Sequence, residues 1–435
     1  MSYRKRKIKW INPINFATLI ADNYQEKSWF FLYSPDNGGS VQKKSIIAIF
    51  EKNRICGRSL NALRPNLSAK SKNYENSYFG YVNYEYKNII LKSFLDKNNS
   101  NEQNENFVFI NYSLILEFDH AKKTLTAFFE DELYLNLVKS YKKNNYKFSK
   151  LKISNLASNF SSSQYLDSIG NIKEMIANGD FYQANLTRKF YGNVNKVKHY
   201  DYFRYFKKLV EENSGSYSSF IKIDEKYIIS GSPELFLRCD DSFLLSRPIK
   251  GTIKRSVENI DDRNLVLKLK RDQKEKAENL MIVDLVRNDF SRVCVAGSVK
   301  VKNLFKVTTY KTLHHMSSDV IGKISKNKDV IDAFNSCFPP GSMTGAPKIK
   351  SMEILEKIEN KNRGIYSGAI GFFKDLNNAN FSVVIRTIIC HNEHFEFQVG
   401  GAITYESKPL SELNETFIKA KAICKILNIK NLEKI

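Results

Sequence analysis

The chain of 435 residues has few cysteines and histidines, six of each, and it has no long apolar run. Its six cysteines are spread along the sequence without a Cys-x-x-Cys pair, which argues against disulfides and against structural zinc. No apolar run approaches the roughly 20 residues of a membrane helix. The basic residues 4–7 are followed by Asn and Pro instead of the apolar segment of a signal peptide. We therefore expect a cytoplasmic protein with no membrane partner.

Positive charge is what the chain has in excess. It contains 68 Lys and Arg against 46 Asp and Glu, which gives a net charge of +22. The lysines are scattered among Asn and Ile, as in residues 142–145, whereas nucleic-acid-binding proteins usually gather basic residues on one element with stacking aromatics between them. Compositional drift and a cleft for a dianionic substrate explain the charge better. Nucleic acid is a minor alternative, and we expect no such partner.

The order of the predicted elements indicates an α+β fold. Apolar runs predict strands at 45–50, 107–110, 219–223 and 227–230, and a hairpin formed by 381–390 and 395–399. Apolar periodicity predicts helices at 131–141, 165–178, 261–286, 349–359 and 412–427. Antiparallel hairpins interrupted by helices differ from the regular β-α-β alternation of a doubly wound sheet.

Two polar stretches suggest how the chain is divided. Residues 97–104 predict a solvated loop, and residues 154–163, which are rich in Ser and Asn, predict a hinge. We expect an N-terminal region over residues 1–153 and a C-terminal region over residues 164–430, and we expect the two to interleave in one fold.

Lys250 is the most informative residue because of its flanks, since the segment 246–252 has the sequence Ser-Arg-Pro-Ile-Lys-Gly-Thr. Proline and glycine after the apolar run 243–245 predict the end of a strand, where the backbone turns and directs a side chain into a cleft. A lysine at the end of a strand is usually a solvated charge. Lys250 is not the only polar candidate in this region, however, because Glu234 lies upstream in the sequence Gly-Ser-Pro-Glu.

Two Glu-x-x-Glu pairs lie downstream, each on one face of a predicted helix. Glu275 and Glu278 could belong to an exposed face rich in lysine. In the second pair, Glu412 and Glu415, the latter could form an ordinary surface pair with Lys419. Two carboxylates on each of two helices are also what a hard divalent cation needs when it bridges an anion.

The segment 337–348 has the sequence Cys-Phe-Pro-Pro-Gly-Ser-Met-Thr-Gly-Ala-Pro-Lys. Its glycines free the backbone, Ser342 and Thr344 supply hydroxyls, and its last proline suits the first turn of a helix. Backbone amides at such a helix start bind anions, although a plain turn before a helix is a common arrangement. Further along, Arg386 lies among apolar neighbours. Its guanidinium could bind a carboxylate through two hydrogen bonds, or it could form a structural ion pair.

In this order, the motifs resemble the family of chorismate-utilising enzymes over residues 165–427. Anthranilate-forming members usually carry a small residue at the position of Lys250, and aminodeoxychorismate-forming members carry lysine. The resemblance implies a large sandwich of two antiparallel β-sheets flanked by helices. It also implies chorismate as the substrate and Mg²⁺ as the cofactor, with Glu278 and Glu415 contacting the metal more directly than Glu275 and Glu412.

The resemblance implies the substrate contacts as well. Arg386 is expected at the enolpyruvyl carboxylate with Tyr366 at the same end, and His315 is expected near the ring, although a lone Tyr or His is more often structural. The full set of candidate substrate-binding residues is Ser342, Thr344, Tyr366, Arg386, Gly400, Gly401, Ala402, Lys419 and His315. Residues 283–289, Val-Asp-Leu-Val-Arg-Asn-Asp, match a further family signature, which we expect to hold the end of a helix.

The reaction implied by the resemblance replaces the 4-hydroxyl of chorismate with an amine and keeps the enolpyruvyl ether. Glu234 is expected to protonate the departing hydroxyl, provided that burial raises its pKa. Lys250, partly neutral, is expected to form a covalent adduct at C2 that ammonia discharges by attack at C4. The ammonia is expected from a separate glutaminase subunit, because no Gly-x-Cys-x-Gly sequence occurs. The alternatives are an anthranilate synthase component I and, remotely, a non-catalytic basic binding protein.

Overall fold

The computed structural model describes residues 3–34, 44–91, 105–139, 148–195, 197–212, 215–256, 258–310 and 313–435. The predicted solvated loop at 97–104 and the lysine-rich residues 142–145 lie outside the described residues. The last two residues of the helix predicted at 131–141 lie outside them as well. In the part of the chain that is described, no helix is long and apolar enough to cross a membrane.

The described residues form twenty strands and ten α-helices. The strands are β1 (Arg4–Ile8), β2 (Trp29–Tyr33), β3 (Lys44–Gly57), β4 (Tyr78–Val82), β5 (Phe107–Asp119), β6 (Thr124–Phe129), β7 (Ile153–Ser158), β8 (Gln183–Val194), β9 (Ser218–Ile223), β10 (Lys226–Ser230), β11 (Leu235–Asp240), β12 (Phe243–Arg247), β13 (Ile249–Lys254), β14 (Lys300–Thr309), β15 (Leu313–Lys323), β16 (Gly345–Ala346), β17 (Ala369–Asp375), β18 (Asn378–Val383), β19 (Thr387–His391) and β20 (His394–Ile403). The helices are α1 (Pro13–Asn23), α2 (Lys87–Ile90), α3 (Glu132–Lys139), α4 (Ser162–Ala177), α5 (His199–Glu212), α6 (Asn259–Arg271), α7 (Gln273–Ser291), α8 (Val330–Cys337), α9 (Lys348–Glu359) and α10 (Pro409–Leu427).

The strand pairings, all antiparallel, form two sheets that share β5, and the two-residue β16 pairs with the start of β8. The first sheet has the order β7-β8-β20-β19-β10-β9-β2-β3-β5-β6-β1. The second has the order β5-β4-β17-β18-β11-β12-β15, and β15 also pairs with β13 and β14. β5 belongs to both because residues 114–119 pair with β6, whereas residues 107–110 pair with β4. Strands from the N-terminal and C-terminal parts of the sequence therefore lie side by side within each sheet.

The core between the two sheets explains the continuous apolar runs in the sequence. On β3, Ile46 and Ala48 pack with residues of the second sheet, whereas Ile47 and Ile49 pack against helices on the outer face. Both faces of the strand are thus buried, and a strand buried on both faces needs apolar residues at every position. The predicted α+β sandwich of two antiparallel sheets is confirmed.

Helices cover the outer faces of both sheets. α1, α5 and α10 contribute residues to the core on the first sheet, and α7 and α8 contribute residues to the core on the second. α4 and α9 pack with the start of β8 and the end of β20. The motifs of the site lie mainly on α7, α10 and the segments that connect strands beside them.

The single helix predicted over 261–286 is wrong, because the chain forms α6 and α7 with a break at Asp272. Asp272 has an extended backbone conformation, and its carboxylate accepts a hydrogen bond from the Glu275 N–H as the N-cap of α7. An N-cap aspartate satisfies an amide that the first turn of a helix leaves free. The break places Glu275 in the first turn of α7.

The strand predicted over 381–390 is also wrong, since it is two strands, β18 and β19, in different sheets. The chain crosses between the sheets at residues 384–386, and Arg386 has a left-handed backbone with φ 52°. Arg386 therefore lies between strands instead of within one. The hairpin itself is confirmed as β19 and β20, with His391 opposite His394 at its turn.

The hinge predicted at 154–163 overlaps an edge strand, because residues 153–158 form β7 beside β8. Polar residues are compatible with this position, since an edge strand exposes one side to solvent. The other predicted elements are confirmed with small shifts. The helix predicted at 165–178 begins at Ser162 with a capping box formed by Ser161 and Gln164, and Gly179 follows it with φ 83°.

Candidate active site

A bulge in β13 sets the direction of Lys250. The pairing of β13 with β15 shifts register between Ile249 and Thr252, and Gly251 at the bulge has φ 78°. A bulge re-aims the side chain beside it, and glycine adopts a positive φ without strain. The Lys250 ammonium lies 3.8 Å from Glu278 Oε2, and its side chain is 14% exposed. The bulge thus holds a mostly buried amine against the first glutamate pair.

Glu234 is a buried carboxyl group at the entry to β11. Burial raises its pKa to about 7, although the Ser342 hydroxyl, Lys250 and Arg386 act in the opposite direction. Its backbone N–H donates to Ser232 Oγ, and its carbonyl accepts from the Val383 N–H, which fixes the backbone. A carboxyl group with a pKa near 7 holds a proton that it can give up under neutral conditions.

The two glutamate pairs face each other at the N-terminal ends of α7 and α10. Glu275 and Glu412 lie in the first turn of their helices, where the helix dipole stabilises negative charge. Burial, together with the neighbouring carboxylates, raises the pKa values of both. Burial also acts to raise the pKa of Glu415, but the ammonium groups of Lys419, Lys250 and Lys274 together outweigh it and lower the pKa. The four carboxylates therefore carry more negative charge than their partly buried surroundings stabilise.

A lysine lies between the two pairs. The Lys274 ammonium is 3.9 Å from Glu278 Oε1 and 3.9 Å from Glu412 Oε1, so one cation links α7 to α10. Among the described residues, no three His, Cys, Asp or Glu side chains are placed closely enough to share a metal ion. The donor set itself, four carboxylates that repel one another, suits a hard divalent cation that keeps part of its water shell.

Gly401 of β20 makes room for the second pair, because a Cβ there would lie 3.2 Å from Glu412 Oε2. Gly400 instead allows the close approach of β8, since its Cβ would lie 2.5 Å from the Leu186 carbonyl. The Lys419 ammonium donates to the Gly400 carbonyl at 2.7 Å and pairs with Glu415 at 2.6 Å. Ala402 continues the same strand opposite Asn185 of β8. The candidate residues of β20 and α10 are thus brought together.

The segment 337–346 forms a turn between α8 and α9, which we call the substrate loop. Ser342 Oγ is buried beside the Glu234 carboxyl group, whose charged form it stabilises, whereas Thr344 Oγ1 donates to the Gly341 carbonyl. Thr344 therefore closes the loop from within, and the Ser342 hydroxyl faces Glu234. Pro347 precedes the first turn of α9 as its N-cap instead of lying in it. The loop, Glu234 and α7 line a narrow pocket.

Arg386 and His315 lie close to each other near Glu234. Burial lowers the pKa of Arg386, and Glu234 opposes that shift. Burial also lowers the pKa of His315 to about 3, with Arg386 and His314 adding to it. The neutral His315 ring is fixed by a hydrogen bond of 2.7 Å between Nδ1 and Thr252 Oγ1. His315 can therefore orient a ligand as a neutral group, but it carries no charge near neutral pH.

The comparisons with known proteins agree with this geometry. A family model described as chorismate binding enzyme matches residues 23–425. The chain belongs to the chorismate-binding enzymes. Aminodeoxychorismate synthase component 1 of Escherichia coli (strain K12) is 37% identical over 270 residues, which cover 62% of this chain and 59% of that protein. Anthranilate synthase component 1 of Aquifex aeolicus (strain VF5) is 36% identical over 279 residues, which cover 63% of this chain and 55% of that protein.

Solved structures of other proteins share the fold. Anthranilate synthase component I from Streptococcus pneumoniae TIGR4 superposes with a TM-score of 0.75 at 24% identity, covering 89% of this chain and 94% of that one. MenF, the menaquinone-specific isochorismate synthase from Escherichia coli, gives 0.78 at 15% identity, covering 98% and 94%. The alignments with the two curated relatives span less than two thirds of those proteins' lengths.

Sequence reasoning missed a buried network that supports this chorismate-binding enzyme's site. Arg363, 2% exposed at its side chain, donates through Nε and Nη2 to the two oxygens of Glu359. Glu85 accepts from the N–H groups of Arg363 and Gly364, which lead to the buried Tyr366. The available signal was the spacing of four between Glu359 and Arg363, a typical helix-end ion pair.

Proposed function

We propose that the chain is the large subunit of an aminodeoxychorismate synthase, which converts chorismate and ammonia to 4-amino-4-deoxychorismate. The observation that carries the proposal is the placement of Lys250, a mostly buried amine 3.8 Å from Glu278 Oε2 and near enough to Glu234 for its charge to oppose the rise in the pKa of that carboxyl group. A side chain that served only as a surface charge would not need the bulge at Gly251. The similarity to aminodeoxychorismate synthase component 1 supports the same reaction.

The mechanism follows from the chemistry of these two residues. Neutral Lys250 Nζ forms a bond to C2 of chorismate, the two ring double bonds shift, and the C4–O bond breaks. Glu234 gives its proton to the departing oxygen, so water leaves, and the proton lost from the lysine nitrogen restores the acid. Ammonia then bonds to C4 and the double bonds shift back, while the C2–N bond to Lys250 breaks and a proton that the added nitrogen loses goes to the departing lysine nitrogen. The enolpyruvyl ether is kept throughout.

The remaining residues hold chorismate in place for this reaction. We assign the enolpyruvyl carboxylate to Arg386 and Tyr366, and a polar contact to the Ser342 hydroxyl beside Glu234. Glu278 and Glu415, supported by Glu275 and Glu412, would hold Mg²⁺, which would neutralise the ring carboxylate of bound chorismate. The four candidates on β20 and α10, Gly400, Gly401, Ala402 and Lys419, line the same end of the site.

The pKa of Glu234 predicts a pH profile. The group works as an acid only while it holds its proton, and its raised pKa of about 7 keeps it protonated below that pH. At a fixed, saturating concentration of free ammonia, we expect kcat to fall about tenfold per pH unit above about pH 7, as Glu234 loses its proton. Steady-state kinetics from about pH 6 to about pH 9 measure this. The decline should vanish in Glu234→Gln, and a flat profile in the parent protein contradicts the acid role.

The source of ammonia gives a second prediction. The purified chain should aminate chorismate with ammonium salts, more rapidly as the concentration of free NH₃ rises, but it should not use glutamine. Addition of a glutaminase subunit of the kind that aminodeoxychorismate synthases employ should confer glutamine-dependent turnover. Chromatographic measurement of glutamate and product checks both. Glutamine-dependent turnover by the chain alone would show that it contains a glutaminase site of its own.

Product analysis tests the proposed function as a whole. Incubation with chorismate, Mg²⁺ and ammonium should yield 4-amino-4-deoxychorismate, identified by its mass and by retention of the enolpyruvyl group. The runner-up is anthranilate synthase component I, since an anthranilate synthase is 36% identical over a comparable length. Anthranilate and pyruvate as products establish that alternative. No product at all favours a non-catalytic binding protein.

A further inference from the structure

Two buried cations hold the substrate loop by its carbonyl groups. Near its start, the Lys348 ammonium donates to the carbonyls of Cys337 and Pro339, both at 2.9 Å. Further along, Arg363 donates to the Met343 carbonyl at 2.7 Å. Because these carbonyls point towards the cations, they fix the path of the backbone on either side of Ser342.

Each cation has a buried carboxylate of its own. Lys348 Nζ lies 2.6 Å from Asp289 Oδ2, so its three N–H bonds are all directed to acceptors. The side chains of Lys348 and Asp289 are 11% and 5% exposed. Asp289 lies in α7, which also carries the first glutamate pair, and it accepts a second ion pair from Arg292. The family signature that ends at Asp289 thus links α7 to the substrate loop.

Apolar and polar contacts both join the loop to α7. A Cβ on Gly341 would lie 3.5 Å from Leu285 Cβ and 3.8 Å from Ile282 Cγ2, so the loop packs against the apolar side of α7. The link through Lys348 and Asp289 adds polar contacts near the start of the loop. Ser342 and Glu234 line the same narrow pocket beside α7, so the position of the loop bears on both.

We propose that Lys348, with Asp289 as its counterion, is a positioning residue that sets the Ser342 hydroxyl relative to the Glu234 carboxyl group. Lys348 touches no reacting atom, since its donors are directed to the loop and to Asp289. The role rests on the proposed function only in that Glu234 is the acid of the reaction. A displacement of about 1 Å in the groups that surround a catalytic residue lowers the rate about 100-fold.

The test uses Lys348→Met and Asp289→Asn, alone and combined, in the full chain with Mg²⁺. Asp289 keeps its ion pair with Arg292 in Lys348→Met, so the variant should fold. We expect each single change to lower kcat for chorismate consumption about 100-fold with KM within about threefold. The double variant should be no slower than either single variant, because both changes remove the same link.

Arg287→Met, which breaks the exposed pair with Asp284 on the same helix, is the matched control and should keep the parental rate.

Hydrogen exchange separates a positioning role from general destabilisation. In Lys348→Met, amides of residues 338–347 should exchange faster, whereas those of β2 and β3 should keep the parental rate. Faster exchange with parental kcat, or faster exchange throughout the protein, overturns the proposal. Chorismate consumption is followed whatever the product, so a parent protein that makes anthranilate contradicts the proposed function while the positioning role is still tested.

Discussion

Replacement of Lys250 by Ala should lower the rate of amination about 10³-fold or more, because removal of a nucleophile eliminates the covalent route and leaves only binding and acid catalysis. Residual product should shift towards anthranilate, since ammonia can then attack C2 directly. Lys250→Arg should not restore the rate, because a guanidinium stays protonated and is a poor nucleophile. Initial rates with saturating chorismate and ammonium, with product analysis, measure both effects.

Lys254 provides the control for this variant. It lies at the end of the same strand and is exposed, so Lys254→Ala changes the charge by the same amount away from the glutamate pairs. We expect its rate to equal that of the parent protein. If Lys250→Ala makes aminodeoxychorismate at the parental rate, Lys250 is only a positive charge that lines the cleft.

Replacement of either Glu278 or Glu415 by Gln should abolish measurable turnover while the fold remains intact. Each change removes one negative charge from the site that we assign to Mg²⁺, so affinity for the cation should fall more than about 100-fold. Titration calorimetry with Mg²⁺, in the presence and absence of chorismate, measures the affinity independently of turnover. Glu275→Gln and Glu412→Gln should have smaller effects if the ranking of the glutamates is correct.

A glutamate outside the cluster serves as the comparison. Glu174 is exposed on α4, and Glu174→Gln should keep both the affinity for Mg²⁺ and the rate. Circular dichroism and thermal unfolding should show the same fold in all of these variants. Unchanged turnover of Glu415→Gln at limiting Mg²⁺ contradicts the assignment of the metal site.

The sequence predicted several of the buried strands because burial on both faces leaves continuous apolar runs, as at 45–50 and 219–223. It did not predict the break at Arg386, because residues 381–390 are mostly apolar or β-branched and contain no Gly or Pro. The break has a tertiary cause, since β18 pairs in one sheet and β19 in the other. Arg386 acquires its left-handed backbone from this crossing, and a strained residue of that kind is common at functional sites.

The break at Asp272 had a signal that the apolar periodicity concealed. Asp272 followed three residues later by Glu275 is a typical start of a helix, but no Pro or Gly marks the end of α6.

The hydrogen-bond partners of the residues around the site were harder to predict. Lys348 and Asp289, like Arg363 and the Met343 carbonyl, are brought together by the fold alone, because each pair joins elements that are distant in the sequence.

The most direct test of the central proposal is the intact mass of the protein after incubation with chorismate and Mg²⁺ in the absence of ammonia. We predict a gain equal to the mass of chorismate less one water, on the peptide that contains Lys250, and its loss on addition of ammonium. Lys250→Ala should show no gain. Rapid formation of aminodeoxychorismate by a parent protein that never acquires this mass would contradict the covalent mechanism.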